Sequence, residues 1–130
     1  MNVSIKVPLN DRAYSIEIGR DLLSNISNYI LPLLKRQKVV IITDTNVSNF
    51  HLETLENSFS ASGIDYSSLT LPPGETTKNW AFLQKTVDFL LKEKVERADL
   101  IIALGGGVIG DLVGFAAAIL RRGVRFVQVP

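Results

Sequence analysis

The 130-residue chain has no cysteine. That excludes a disulfide framework and any thiolate metal site. It has one histidine, and His51 stands in a helix-like stretch without a second imidazole. A zinc site within the chain is therefore not expected, and His51 reads as a surface or packing residue. Charge of one sign is also lacking: 14 Lys and Arg face 13 Asp and Glu, a net charge of +1. No global field draws nucleic acid. No uncharged apolar run approaches the roughly 18 residues of a membrane span. Strand-like residues begin at Val3, which argues against a signal peptide. A cytoplasmic protein is expected. Internal repeats and low-complexity tracts are absent.

What is present is a regular alternation of strand-like and helix-like segments. Val3–Val7 and Tyr14–Ile18 alternate apolar and polar residues around the turn chemistry of Leu9-Asn10-Asp11-Arg12, a β-hairpin pattern. After Gly19 a helix is expected with Leu22, Ile26, Tyr29 and Ile30 on one face. Lys38–Thr43 is a β-branched run, as in a strand covered on both faces. A helix follows, with Val47, Phe50, Leu55 and Phe59 inward and Ser62-Gly63 at its end. Ile64–Leu71 reads as a strand. Thr76 to Lys92 reads as a helix with Trp80, Leu83, Val87 and Leu90 as its core stripe. Asp99–Leu104 and Val124–Val129 complete the strands. The helix between them is apolar nearly all round, including Phe115 and Ile119, and so is expected to be central and buried. It is expected to close at Arg121-Arg122-Gly123. The fold class is α/β: a Rossmann-like, mostly parallel sheet with helices on both faces and an N-terminal β-hairpin.

The most informative stretch is Leu100 to Asp111. An apolar strand ends in Gly105-Gly106-Gly107, and an apolar helix begins. Such a junction holds phosphate: turn amides point outward, the helix dipole favours negative charge, and glycine admits close approach. Gly105-x-Gly107-x-x-Gly110 matches the dinucleotide fingerprint in its strand-to-helix setting. A tight packing turn gives the same pattern. The usual ribose-binding acid at the end of the next strand is missing, since that strand ends in Gln128-Val129-Pro130. Either the dinucleotide reading fails or an earlier strand holds the ribose.

Three further groups fall at strand ends. Asp111 lies in the first turn of an apolar helix, where it serves the dipole or a ligand hydroxyl. Asp44-x-Asn46 suits capping or hydroxyl recognition. Glu75 and Lys78 suit either a surface ion pair or ribose and phosphate contacts. Arg121, Arg122 and Arg125 form a basic cluster, in which capping explains one arginine and oxyanion recognition suits a second. The chain stops at Pro130, directly after a core strand and where a site-forming loop begins in open α/β sheets. A piece of a longer enzyme is expected.

The run Gly105-Gly106-Gly107-Val108-Ile109-Gly110-Asp111-Leu112-Val113-Gly114-Phe115-Ala116-Ala117, with Arg122-Gly123-Val124-Arg125-Phe126-Val127-Gln128-Val129-Pro130, closely resembles the 3-dehydroquinate synthase family. Pro73-Gly74-Glu75-x-x-Lys78 and Asp44-x-Asn46 extend the resemblance upstream. It covers essentially the whole chain, residues 1–130, as that family's N-terminal NAD-binding domain. It implies a shikimate-pathway enzyme that converts 3-deoxy-D-arabino-heptulosonate 7-phosphate to 3-dehydroquinate, using NAD that is regenerated in each turnover. It implies that Asp44, Asn46, Glu75 and Lys78 contact the adenosine side of NAD. The pyrophosphate turn would be Gly106, Gly107 and Val108 with Ile109 and Gly110, and Asp111 would lie near the nicotinamide ribose. Arg122 would meet the phosphate of a phosphorylated sugar-acid substrate. Zinc or cobalt and its ligands would lie outside this chain, in a helical C-terminal domain, within a homodimer. The chain alone is then expected to be inactive, with no catalytic or metal-ligating residue of its own. Two alternatives are a glycerol dehydrogenase-like, metal-dependent alcohol dehydrogenase and a non-catalytic nucleotide-binding or oligomerisation module.

Overall fold

The computed structural model describes residues 2–130. Strands β1 (Val3–Val7) and β2 (Tyr14–Ile18) form an antiparallel hairpin in the register Val3↔Ile18 to Val7↔Tyr14. A second sheet holds β3 (Lys38–Asp44), β4 (Asp65–Leu71), β5 (Leu100–Leu104) and β6 (Arg125–Val129), in the order β4-β3-β5-β6. Its pairings are all parallel. The helices are α1 (Ile26–Ile30), α2 (Thr45–Val47), α3 (Glu53–Ala61), α4 (Trp80–Lys92) and α5 (Gly107–Ile119).

The β-branched runs explain the layers. Successive strand residues face opposite sides. Val40, Ile42, Ile101 and Ala103 pack with Leu83 and Leu90 of α4 and Leu112, Val113 and Ala116 of α5. Val39, Ile41, Leu100 and Ile102 pack on the other side, with Ile26 and Ile30 of α1 and Leu55 and Phe59 of α3. Each fully buried Val, Leu, Ile or Phe among them contributes roughly 1.5–3 kcal/mol. From β3 the chain crosses to β4 on one side, then returns past β3 to β5 on the other. The crevice where strand order reverses therefore opens at the carboxyl ends of β3 and β5, the position at which open α/β sheets bind ligands.

At the opposite end of the sheet, four cations hold the segment from Glu93 to Asp99. Arg36 donates to both Asp99 oxygens at 2.7 and 2.5 Å and to the Lys94 carbonyl at 3.0 Å. Lys38 donates to the Glu93 carbonyl, Arg121 to that of Val95 at 2.8 Å, and Arg125 to that of Ala98 at 2.6 Å. Burial raises the Asp99 pKa, but the Arg36 hydrogen bonds, the Glu96 amide and the nearby charges outweigh it. The carboxyl sits below its ordinary value.

Several expectations are corrected. Residues Ser48–Leu52 form a π-helical turn. The extra residue rotates the helical face, so Phe50 is 77% exposed while Leu55 and Phe59 stay inside. The helix expected from Thr76 starts at Trp80, because Glu75–Thr77 form a separate 3-10 turn and Asn79 caps α4. Trp80 thus occupies the first turn and is 78% exposed. Before Ile26 the chain turns without α-helix, and Tyr29 faces outward. The helix α5 is not covered all round: Phe115, 50% exposed, and Ile119 line an open face. It ends at Ile119, and Leu120–Arg122 form a 3-10 turn before Gly123.

Candidate functional site

Three strand ends meet at the crevice. At the end of β5, Gly105 takes φ +149°, a value that L side chains rarely adopt, and an added Cβ there would lie 3.3 Å from Ile109. Gly106 is the N-cap of α5 and brings no side chain to satisfy the first helical amides. Those amides have no intrahelical partner. A Cβ built on Gly106 or Gly107 meets nothing within 4 Å. The turn is thus an open cradle lined by free donors at the positive end of a 13-residue helix.

Beneath the cradle the sequence fixes the floor. Ile109 is buried in the core, so only its backbone is available to a ligand. Gly110 is buried and packs on β6; an added Cβ would lie 2.4 Å from Gln128 Nε2. Gly114 repeats this against Phe126 at 3.3 Å. Gly110 therefore serves close helix–strand packing, the role of the third fingerprint glycine.

At the end of β3, Asp44 caps α2, its Oδ1 accepting the Val47 amide at 2.8 Å. Asn46 is exposed on the same short helix. At the end of β4, Thr77 is buried and donates to the Pro72 carbonyl, which fixes the Pro72–Lys78 loop. Gly74 in that loop takes φ +97°. Lys78 then bridges two strand ends, 3.2 Å from Glu75 and 2.9 Å from Asp111. The hydrogen bonds that Lys78 donates to Asp111 and then to Glu75 hold its pKa above the ordinary value.

The structure therefore brings Gly106, Gly107, Val108, Glu75, Lys78 and Asp111 to one rim, with Asp44 and Asn46 at the adjoining strand end. It does not bring Arg122 there. Arg122 follows the far end of α5, roughly 20 Å along the helix from Gly107. It borders an open notch of about 550 Å³ lined also by Lys35, Arg97 and Arg125. Arg121 and Arg122 both take left-handed φ, 47° and 64°. His51 is exposed, its ring 6.4 Å from that of Phe50. Among the described residues, no three His, Asp or Glu side chains are grouped to hold a metal ion. The sequence reading missed the edge-to-face pair of Trp80 and Phe115, with centroids 6.4 Å apart. It also missed the Asn79 cap, although Asn directly before Trp80-Ala-Phe-Leu is a helix-start signal.

An open parallel sheet with a glycine turn at its strand reversal defines a Rossmann-like α/β domain. A family model described as 3-dehydroquinate synthase N-terminal matches residues 68–130. The 3-dehydroquinate synthase of Roseobacter denitrificans is 56% identical over 127 residues, covering 98% of this chain and 34% of the relative. That of a Ruegeria species is 53% identical over 130 residues, covering 100% and 35%. The chain is thus similar to 3-dehydroquinate synthases, and it spans about a third of the length of these relatives. A crystal structure of 2-deoxy-scyllo-inosose synthase complexed with carbaglucose-6-phosphate, NAD+ and Co2+ shares the fold, with a TM-score of 0.84 at 22% identity. The match covers 98% of this chain and 35% of that one.

Proposed function

We propose that the chain is the NAD-binding domain of a 3-dehydroquinate synthase. The whole protein would convert 3-deoxy-D-arabino-heptulosonate 7-phosphate to 3-dehydroquinate and phosphate in the cytoplasm. The observation that carries this reading is the cradle at Gly106 and Gly107. It stands open over the strand reversal, at the uncapped start of α5. When bound, NAD would supply a hydride acceptor that is restored in each turnover. The residues here fit its binding half. The amides of Gly107, Val108 and Ile109 would hold the pyrophosphate. Asp44, whose Oδ2 is not used in capping, would share the adenosine hydroxyls with Asn46 and Glu75. Lys78 and Asp111 would meet the ribose and phosphate edge. The two are paired with each other at 2.9 Å.

The zinc or cobalt ion would be bound outside this chain, by the remaining two-thirds of the protein. That part would be a helical C-terminal domain. It would cover Trp80, Phe115 and Ile119, which stand exposed on the α4–α5 side. Arg122 lies at the wrong end of α5 to meet a substrate phosphate at the rim of its own chain. Its proposed phosphate contact therefore requires a second copy, in keeping with a homodimer. The test is an amide-resolved NMR titration of the 130-residue chain with NAD. Shifts centred on Gly106–Val108 support the reading; shifts centred elsewhere, or none at millimolar NAD, defeat it.

A further inference from the structure

We propose, on the reading that Arg122 meets a substrate phosphate, that Arg121 is a positioning residue. Its hydrogen bond to the Val95 carbonyl fixes the direction in which Arg122 leaves the chain. After α5, three residues in succession take positive φ: Arg121 at 47°, Arg122 at 64° and Gly123 at 109°. Glycine adopts such values freely, but the Cβ of an arginine makes the left-handed region costly. Two arginines in a row persist there only if their surroundings hold them.

The backbone supplies part of that hold. Leu120 is buried, and the Gly123 amide donates to its carbonyl at 2.8 Å. The Val124 amide donates to the Ala117 carbonyl, also at 2.8 Å. These contacts pin the two ends of the turn. Arg121 supplies the third point, its Nε donating to the Val95 carbonyl at 2.8 Å. Val95 is a firm anchor. Its side chain is fully buried in the core, and its amide returns to the Leu90 carbonyl at 3.1 Å. The segment beyond it is closed by the Glu96 amide on Asp99 at 2.8 Å and by the Arg36 ion pair. Successive residues of a turn point in different directions. With Arg121 turned onto Val95, Arg122 is left bordering the notch it shares with Lys35, Arg97 and Arg125.

Two further features point to aim as well as stability. No carboxylate lines the notch. Among the described residues, Arg122 makes no ion pair and no side-chain hydrogen bond, whereas Arg36, Arg121 and Arg125 are all engaged. Its planar fork is therefore uncommitted, among neighbours of like charge, and suited to two oxygens of one oxyanion. Ordering a loose loop on binding costs affinity, and a backbone already pinned at Arg121 avoids that cost. The tether should accordingly show in phosphate recognition more than in folding.

The test is steady-state kinetics of the longer protein, reading phosphate release from 3-deoxy-D-arabino-heptulosonate 7-phosphate, with inorganic phosphate as an inhibitory probe. Arg121→Met keeps the apolar stem and removes the donor. It should lower kcat/KM by about five- to tenfold, mostly through KM, and weaken inhibition by phosphate to the same extent. The KM for NAD should not move. Arg121→Lys, which can still donate to a carbonyl, should recover most of the loss. Arg121→Gly removes the strain together with the tether. It should melt close to the parent protein yet show the same kinetic loss as Arg121→Met. Made on Arg122→Ala, Arg121→Met should change nothing further, because it acts through that side chain. Additive losses, a shifted NAD constant, or full activity in Arg121→Gly would make Arg121 a stabiliser of the turn alone and overturn the proposal. An Arg122→Ala without effect removes the phosphate contact and this inference together. If Arg122→Ala is impaired and Arg121→Met is not, the phosphate contact stands and the positioning role falls.

Discussion

Gly107→Val separates binding from folding most sharply. Gly107 opens α5 without a left-handed φ, and an added Cβ meets nothing within 4 Å. Valine at this position should therefore change stability by no more than about 0.5 kcal/mol, the range of surface substitutions. Its two methyls would fill the cradle that the pyrophosphate needs. Losing two charge-assisted amide–phosphate hydrogen bonds, at roughly 1.5–3 kcal/mol each, lowers affinity by more than about a hundredfold. The assay is titration calorimetry of the longer protein with NAD, alongside urea denaturation of both forms. Unchanged affinity would make Gly107 a packing glycine and refute the reasoning. A large loss of stability would show that the space above the turn is not free. Gly105→Ala provides the contrast: at φ +149°, with Ile109 at 3.3 Å, it should cost about 1–3 kcal/mol of stability in the same urea assay.

NAD should bind the 130-residue chain only weakly, because the wall around the nicotinamide half is missing; a micromolar constant by calorimetry would contradict this. The chain alone should release no phosphate from 3-deoxy-D-arabino-heptulosonate 7-phosphate, even with NAD and zinc added, when compared with a longer active protein. In that longer protein, Arg122→Ala should lower kcat/KM by about tenfold to a few hundredfold; a smaller effect would leave Arg122 a loop residue. Asp99→Asn should cost about 2 kcal/mol in denaturant titrations at neutral pH, from the lost charged hydrogen bonds. Since folding depresses the Asp99 pKa, its contribution is present above the ordinary carboxylate pKa, near 4, and is lost as pH falls through the lower folded value. The substituted chain should lose less stability than the parent between pH 4 and more acid conditions; equal losses would rule out Asp99 as a source.

Much of the fold was legible because its two central strands, β3 and β5, are apolar runs buried on both sides, as in a covered parallel sheet. The hairpin and the glycine junction were legible for similar local reasons. The misplaced residues share a cause of another kind. Trp80, Phe50, Phe115 and Ile119 carry the apolar periodicity of a core, and one sequence does not say which partner a face will meet. A π-helical turn shifted Phe50 outward, and a separate 3-10 turn put Trp80 on the first turn of α4. The rim groups were recognisable from their strand ends. That Lys78 would join Glu75 to Asp111 across two loops was not, because such a contact depends on the sheet order. The distance of Arg122 from the rim was hidden for the same reason: helix direction relative to the sheet is a property of topology, not of local sequence.

The central claim is that the rim of β3, β4 and β5 holds NAD through the glycine turn. The most direct measurement is the NMR titration of the uniformly labelled 130-residue chain with NAD, read residue by residue and repeated on Gly107→Val. The account expects saturable shifts at Gly106, Gly107, Val108, Lys78 and Asp111, little change at Arg122, and loss of the response in the variant. Shifts gathered at Lys35, Arg97 and Arg122 instead, or an undiminished response in Gly107→Val, would contradict it.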